Sequence, residues 1–173
     1  MALRKVRVMG DEVLNQVCKE VKEITPRTMM LIEDMLDTMY DSNGVGLAAP
    51  QVGILKQIVV MDVDDGNQYV LINPEIISAE GEQCGSEGCL SVPGVYAEVR
   101  RPSVIKVEYY NENLEKVVEV FDRFACRMVQ HELSHLEGNL FVDNVSPIRR
   151  KMIARKLQAI SKGAVQTRYK SKR

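Results

Sequence analysis

Gln130-His131-Glu132-Leu133-Ser134-His135 holds the only two histidines of a 173-residue chain, four positions apart with a glutamate between them. Four positions is about one helical turn, so both imidazoles project from one helix face and can grip a single metal ion with Glu132 beside it. A hydrolytic site of this kind needs a third protein ligand and an open position for water. A third histidine in the extended H-E-x-x-H-x-x-G-x-x-H pattern is excluded, because Phe141 stands there. A glutamate from a later helix is excluded as well, since the only acid after Glu137 is Asp143. The third ligand is therefore expected upstream, and a thiolate suits a site that already has two imidazoles.

Of the four cysteines, Cys18, Cys84, Cys89 and Cys126, at least two are expected to be small buried hydrophobes. Cys89 lies in Ser86-Glu87-Gly88-Cys89-Leu90-Ser91-Val92-Pro93-Gly94, where glycines and a proline favour an exposed turn that presents a thiolate. Cys84 lies five positions earlier. A closed structural Cys2His2 zinc site, made of Cys84, Cys89, His131 and His135 and leaving Glu132 idle, is therefore the rival reading. Upstream, Gly44-Val45-Gly46-Leu47-Ala48-Ala49-Pro50-Gln51-Val52-Gly53 reads as a glycine-rich loop that lets backbone approach a ligand closely. Gln51 offers it an amide donor for an oxyanion. The loop lacks the Lys-Ser/Thr ending of a phosphate loop.

Taken together, Gly44 to Gln51, Glu87 to Ser91 and His131 to His135 resemble the three motifs of the peptide deformylase family, G-φ-G-φ-A-A-x-Q, E-G-C-φ-S and H-E-φ-D-H with φ apolar, in that order and at its spacing. The resemblance covers about residues 1 to 160. It implies metal ligands Cys89, His131 and His135, with Glu132 as acid/base and Gln51 and the Leu90 backbone N–H as oxyanion donors. It further implies one Fe²⁺ ion per chain, with Zn²⁺ or Ni²⁺ as substitutes, and removal of the formyl group from N-formylmethionyl nascent peptides. An apolar pocket beside His131, with Val45 and Met128 in its wall, would hold the methionine side chain. Gly46, Glu87 and Gly88 would line the peptide groove, Gly46 and Glu87 through backbone groups. One position departs from the motif: Ser134 stands where the family has aspartate. It points about 100° away from His135 on a helix, so the change concerns support of the helix rather than a ligand.

Charge divides the chain. Residues 1–148 carry all 24 acids and 13 of the 23 Lys and Arg, a net of −11, whereas 149–173 carry 10 basic residues and no acid. Such a block suits either a solvated helix or contact with a polyanion. The resemblance implies docking on the ribosome, through rRNA phosphates, with steep salt dependence. No apolar run approaches the about 18 residues of a membrane span. Met1-Ala2-Leu3-Arg4-Lys5-Val6-Arg7 lacks a signal peptide's apolar stretch. These features lead to an expectation of cytoplasmic location, in a bacterium, an organelle or a virus-infected cell, with no membrane partner.

The remaining pattern reads as one α+β unit without repeats. The expected domain is 1–148, with 149–173 a basic C-terminal helix and tail rather than a second domain. Short helices are expected at Asp11 to Val21 and after the Thr25-Pro26 cap, where Met29, Met30, Ile32, Met35, Leu36 and Met39 follow helical spacing toward a core. Strands are expected at Gln57 to Val63, Tyr69 to Ile72, Ile76 to Ala79, Val104 to Tyr110 and Lys116 to Phe121, the last two forming a hairpin. The histidine helix should run from about Asp122 to the Gly138-Asn139 stop, and Ser146-Pro147 should start the basic helix, which frays beyond Gly163. The fold implied is antiparallel sheets packed around a central helix carrying H-E-x-x-H.

Overall fold

A computed structural model of the protein describes residues 2–64 and 67–170, with side chains through Gly163. In chain order it contains α1 (Pro26–Asp41), β1 (Gly46–Ala48), β2 (Ile58–Met61), β3 (Tyr69–Glu80), β4 (Gln83–Cys89), β5 (Val92–Arg101), β6 (Val104–Tyr110), β7 (Lys116–Asp122), α2 (Arg123–Leu136) and α3 (Pro147–Lys170), with short 3-10 turns at Glu12–Asn15, Ala49–Val52 and Phe141–Asn144. The α+β class and the antiparallel arrangement agree with the expectation. Five strands form one antiparallel sheet in the order β1-β2-β3-β6-β7, and β4 with β5 forms a separate hairpin.

The centre of the fold follows from Ile58-Val59-Val60-Met61, an unbroken apolar run that is buried throughout. Alternate residues of a strand face opposite sides, so a continuous run needs cover on both faces. Helix α2 covers one side, where Val59 and Met61 meet Cys126, Val129, Leu133 and Leu136. Helix α1 covers the other, where Ile58 and Val60 meet Leu31, Ile32, Met35 and Met39. Thr25 caps α1 as expected, with reciprocal bonds between Thr25 and Thr28. Met35 and Met39 are fully buried, but Met30 is 57% exposed and Leu31 takes the inward place. A third apolar cluster joins Val92, Val95, Ala97 and Val99 of β5 to Phe141, Val142 and Leu157, with Ile153 and Ile160 of α3 packed against it.

Several expectations give way to tertiary contacts. The helix expected over Asp11 to Val21 is only a 3-10 turn, because the chain beyond it is spent on pairing: Cys18 N–H donates to Leu136 O (2.9 Å), Lys19 N–H to Leu55 O (3.0 Å) and Gln57 N–H to Lys19 O (2.9 Å). The two strands expected at 69–72 and 76–79 are one strand, irregular around Asn73 to Ile77. Cys89 does not sit in a long exposed turn. It ends β4, and only Leu90 and Ser91 separate it from β5. Likewise Gly46-Leu47-Ala48 of the glycine-rich segment pairs with β2 as a short strand. Helix α2 stops as anticipated, with Gly138 at φ +83°, a conformation that favours glycine, and Asn139 N–H donating back to Ser134 O at 3.0 Å. The backbone of α3 continues past Gly163 to Lys170 instead of fraying there. No helix among the described residues is long and apolar enough to cross a membrane.

Candidate metal centre and cleft

Three elements converge on one point. Helix α2 supplies His131 and His135 from one face, and the end of β4 supplies Cys89. One ligand atom from each lies within 4.8 Å of the others, and this is the one such group of three among the described residues. Cys89 Sγ approaches His135 Nε2 at 3.4 Å. Cys84, the fourth ligand of the rival zinc module, is exposed, faces Glu98 at 3.7 Å and is not part of the group. The geometry therefore leaves three donors rather than a closed set of four.

The tautomer of His131 follows from its neighbour. Glu87 Oε1 lies 3.0 Å from His131 Nδ1, so that nitrogen carries the proton and Nε2 is left for a metal. Burial pushes His131 down, but its bonds to Cys89 and Glu87 outweigh this and raise it to about 10. The anionic surroundings that draw a proton to this ring draw a metal cation equally. His135 is held well below its ordinary value by burial and by the charges of His131 and Arg101, which keeps its imidazole neutral as a ligand must be. Its Nδ1 is buried without a partner, as is Glu132 Oε2. His135 Nδ1 lies across the ring from the Nε2 that meets Cys89, and a buried carboxylate oxygen with no partner is the kind of group a water or substrate completes.

Glu132 is 3% exposed, with Oε1 4.0 Å from His131 Nε2. Burial pushes its carboxyl up to about 7 against the opposing pull of His131, with Glu87 adding and Arg101 subtracting. Such a value suits a group that must both take and give a proton near neutrality. Gly46 packs against it so closely that a Cβ there would lie 2.7 Å from Glu132 Oε1. This explains the glycine without any appeal to its flexibility.

Gln51 sits in the 3-10 turn after β1, almost fully buried. Its Oε1 accepts from Ala48 N–H (2.9 Å), and its Nε2 donates to Ser91 Oγ (3.0 Å) and makes a long contact with Cys89 Sγ (3.6 Å). The amide is thus pinned with its donors directed at the convergence point. A cleft of about 470 Å³ opens there, and Val45, Gly46, Gly88, Leu90 and Met128 line it together with Gln51, Glu132 and His131.

The side chain of Glu87 has a place that sequence reasoning did not assign. It borders the cleft, but its carboxylate is wholly buried behind His131, where Arg101 donates through Nε (2.6 Å) and Nη2 (2.7 Å) and Arg127 through Nη1 (2.7 Å). Burial pushes Glu87 up, but the bonds and charges of Arg101 and His131 outweigh it and hold the carboxyl at about 2. Arg127 also donates to Val99 O (2.9 Å) and Gly85 O (3.2 Å), and so fastens α2 to the β4–β5 hairpin. Sequence reasoning missed both arginines, although each left a trace. Arg127 precedes His131 by one helical turn, and Arg101 continues the inward phase of Val95, Ala97 and Val99 along β5.

A profile of the polypeptide deformylase family matches residues 3–151. A curated peptide deformylase of Agathobacter rectalis is 54% identical over 145 residues, covering 84% of this chain and 91% of its own length. Among solved structures, a peptide deformylase from Legionella pneumophila superposes with TM-score 0.87 at 40% identity, covering 96% of this chain and 99% of that one. One from Synechococcus elongatus, in complex with actinonin, gives 0.82 at 43% identity, covering 87% and 84%.

Proposed function

The chain belongs to the peptide deformylase family and is a hydrolase that deformylates peptides; from that premise we propose how its own residues divide the work. Cys89, His131 and His135 hold one metal ion, and the observation that carries this assignment is their convergence beside the partnerless Glu132 Oε2 at the mouth of the cleft. Two imidazoles and a thiolate accept Fe²⁺, Zn²⁺ or Ni²⁺, and Fe²⁺ is the reading the family supports. When bound, such an ion polarises the formyl carbonyl and brings the pKa of a water toward neutrality.

Every other step belongs to the chain. Glu132 takes the proton of the attacking water and returns it to the departing amine. Gln51 Nε2 gives up its long contact with Cys89 for the developing oxyanion, and the Leu90 N–H, at the turn that follows the thiolate, is the second donor. Val45, Leu90 and Met128 take the methionine side chain, and Gly46 and Gly88 leave room for the peptide backbone. The products are formate and a free N-terminal methionine. Actinonin should occupy the same cleft.

Residues 1–148 form the catalytic domain in this reading, and α3 is an appendage seated on it through Ile153, Leu157 and Ile160. Ile148 and Met152 are exposed among basic neighbours, which supports a surface that docks on ribosomal RNA in the cytoplasm. The basic residues from 164 onward lie outside the described side chains.

The test is release of formate from a formyl-Met peptide by anaerobically purified protein, beside Glu132→Ala with its metal content measured. Wild-type release with a metal-loaded but silent variant is the expected result. Equal turnover by both would overturn the role of Glu132. Ribosome co-sedimentation that is unchanged by salt, or by deletion of 149–173, would overturn the docking.

A further inference from the structure

Two buried guanidiniums converge behind His131. Arg101 (7% side-chain exposure) and Arg127 (5%) share the single carboxylate of Glu87. Buried cations are normally paired one to one or fully solvated by acceptors. Arg127 meets that need with two strand carbonyls and Gln83 Oε1. Arg101 spends Nε and Nη2 on Glu87, and its Nη1, which is not sealed from solvent, has no acceptor among the described residues.

Arg101 also lines a second cavity of about 370 Å³, on the face of α2 formed by Gln130, Leu133, Ser134 and Glu137 rather than the face that holds the histidines. Two kinds of group in its wall matter. Ser134 presents a hydroxyl that in this structure only bonds back to Gln130 O at 2.9 Å, a weak local bond that it can exchange for a stronger acceptor. Glu75 and Glu137 stand at the wall as exposed carboxylates. They are hydrated, and they select against multiply charged anions while leaving room for a compact monovalent one.

We propose that this rear cavity binds a small monocarboxylate between the free Nη1 donors of Arg101 and the hydroxyl of Ser134, and that the formate released by the enzyme is one of its ligands. The ligand brings a negative charge and two acceptor oxygens, one for Nη1 of Arg101 and one for the Ser134 hydroxyl. Because Arg101 holds Glu87 and Glu87 holds His131 Nδ1, occupancy tightens the support of the metal centre. The site itself stands on the Nη1 donor that has no protein acceptor and on the cavity; only the choice of formate rests on the deformylase activity.

The experiment is thermal unfolding of the metal-loaded enzyme against sodium formate, sodium acetate and sodium chloride, with ionic strength held by a bulky sulfonate buffer. Formate and acetate should raise the melting temperature saturably, by about 3–5 °C at ten times the dissociation constant, and chloride should not. Ser134→Asp, which supplies the carboxylate covalently, and Ser134→Leu, which fills the cavity, should each abolish the response. If Ser134→Asp fails to fold, Ser134→Leu decides. No saturable shift into the hundred-millimolar range overturns the proposal. A shift that survives in both variants also overturns it, because the carboxylate is then bound in the metal cleft. An equal shift with chloride would replace the carboxylate site by a halide site.

Discussion

Replacing Glu87 by glutamine tests the claim that one buried carboxylate organises the metal centre from behind. The change keeps the shape and removes the charge. Four bonds end on that carboxylate: Arg101 Nε at 2.6 Å, Arg101 Nη2 at 2.7 Å, Arg127 Nη1 at 2.7 Å and His131 Nδ1 at 3.0 Å. With the charge gone, two guanidiniums stay buried with no counterion, and one glutamine N–H₂ is forced against a donor. Breaking a buried pair by removing one partner costs about 3–5 kcal/mol. For a domain of this size that lowers the melting temperature by about 6–20 °C. Because His131 also loses its charged acceptor, metal affinity should fall about 10–100-fold.

The two effects are separated by urea melts of the metal-free protein and by chelator competition on the loaded one. Arg127→Met provides the control. It leaves Glu87 bonded to Arg101 and His131 and removes the excess cation, so it should cost less than Glu87→Gln, and the double variant less than the sum of the two. A Glu87→Gln protein that melts within about 1 kcal/mol of wild type, with unchanged metal affinity, would refute the reasoning, since surface substitutions already fall in that range.

Four further outcomes follow from the geometry. Gly46→Ala drives a Cβ to 2.7 Å from Glu132 Oε1, so kcat should fall about 10–100-fold with metal content unchanged; full activity would mean that Glu132 can move without consequence. Gln51→Ala should cost about 10²–10³-fold in kcat with little change in KM, and a loss confined to KM would assign Gln51 to substrate binding instead. The acid limb of kcat/KM should report Glu132. Burial raises its carboxyl from 4.5 to about 7, and a divalent cation beside it pulls it back, so activity is lost as pH falls through a midpoint between those values; a midpoint below 4.5 would exclude Glu132 as the base. Stability has its own acid limb: Glu87 is lowered from 4.5 to about 2, so its contribution of roughly 3 kcal/mol is complete above 4.5 and lost as pH falls toward 2. Urea midpoints from pH 6 to 3 should show this in wild type and much less in Glu87→Gln.

Much of the site was legible in the chain because its chemistry is local. His131 and His135 share a face whatever surrounds the helix, since four residues are about one turn. Elimination placed the third ligand upstream, the turn context and the family resemblance pointed to Cys89, and Cys89 does converge with the two histidines. The caps at Thr25 and Gly138 and the hairpin of β6 and β7 were readable for the same reason: neighbouring residues satisfy each other's backbone groups. The segment Asp11 to Val21 misled because its backbone partners, Leu136 and Leu55, are remote in sequence. The β4–β5 hairpin was hidden because the inward positions of β4 are Gln83, Gly85, Glu87 and Cys89 rather than apolar residues, with Arg127 lying over Gly85.

By itself, the order of residues determined that two imidazoles and a glutamate share one turn of a helix and that an acidic body carries a basic C-terminal arm. It could do so because a helical turn, an exclusion by missing residues and a charge count need no partner far away. Only the tertiary structure decided that the carboxylate of Glu87 lies behind His131, that Arg101 and Arg127 hold it there, and that Arg101 also lines a second cavity. Those outcomes depend on which buried charges meet, and buried charges find their partners across strands and helices that the chain brings together only when it folds.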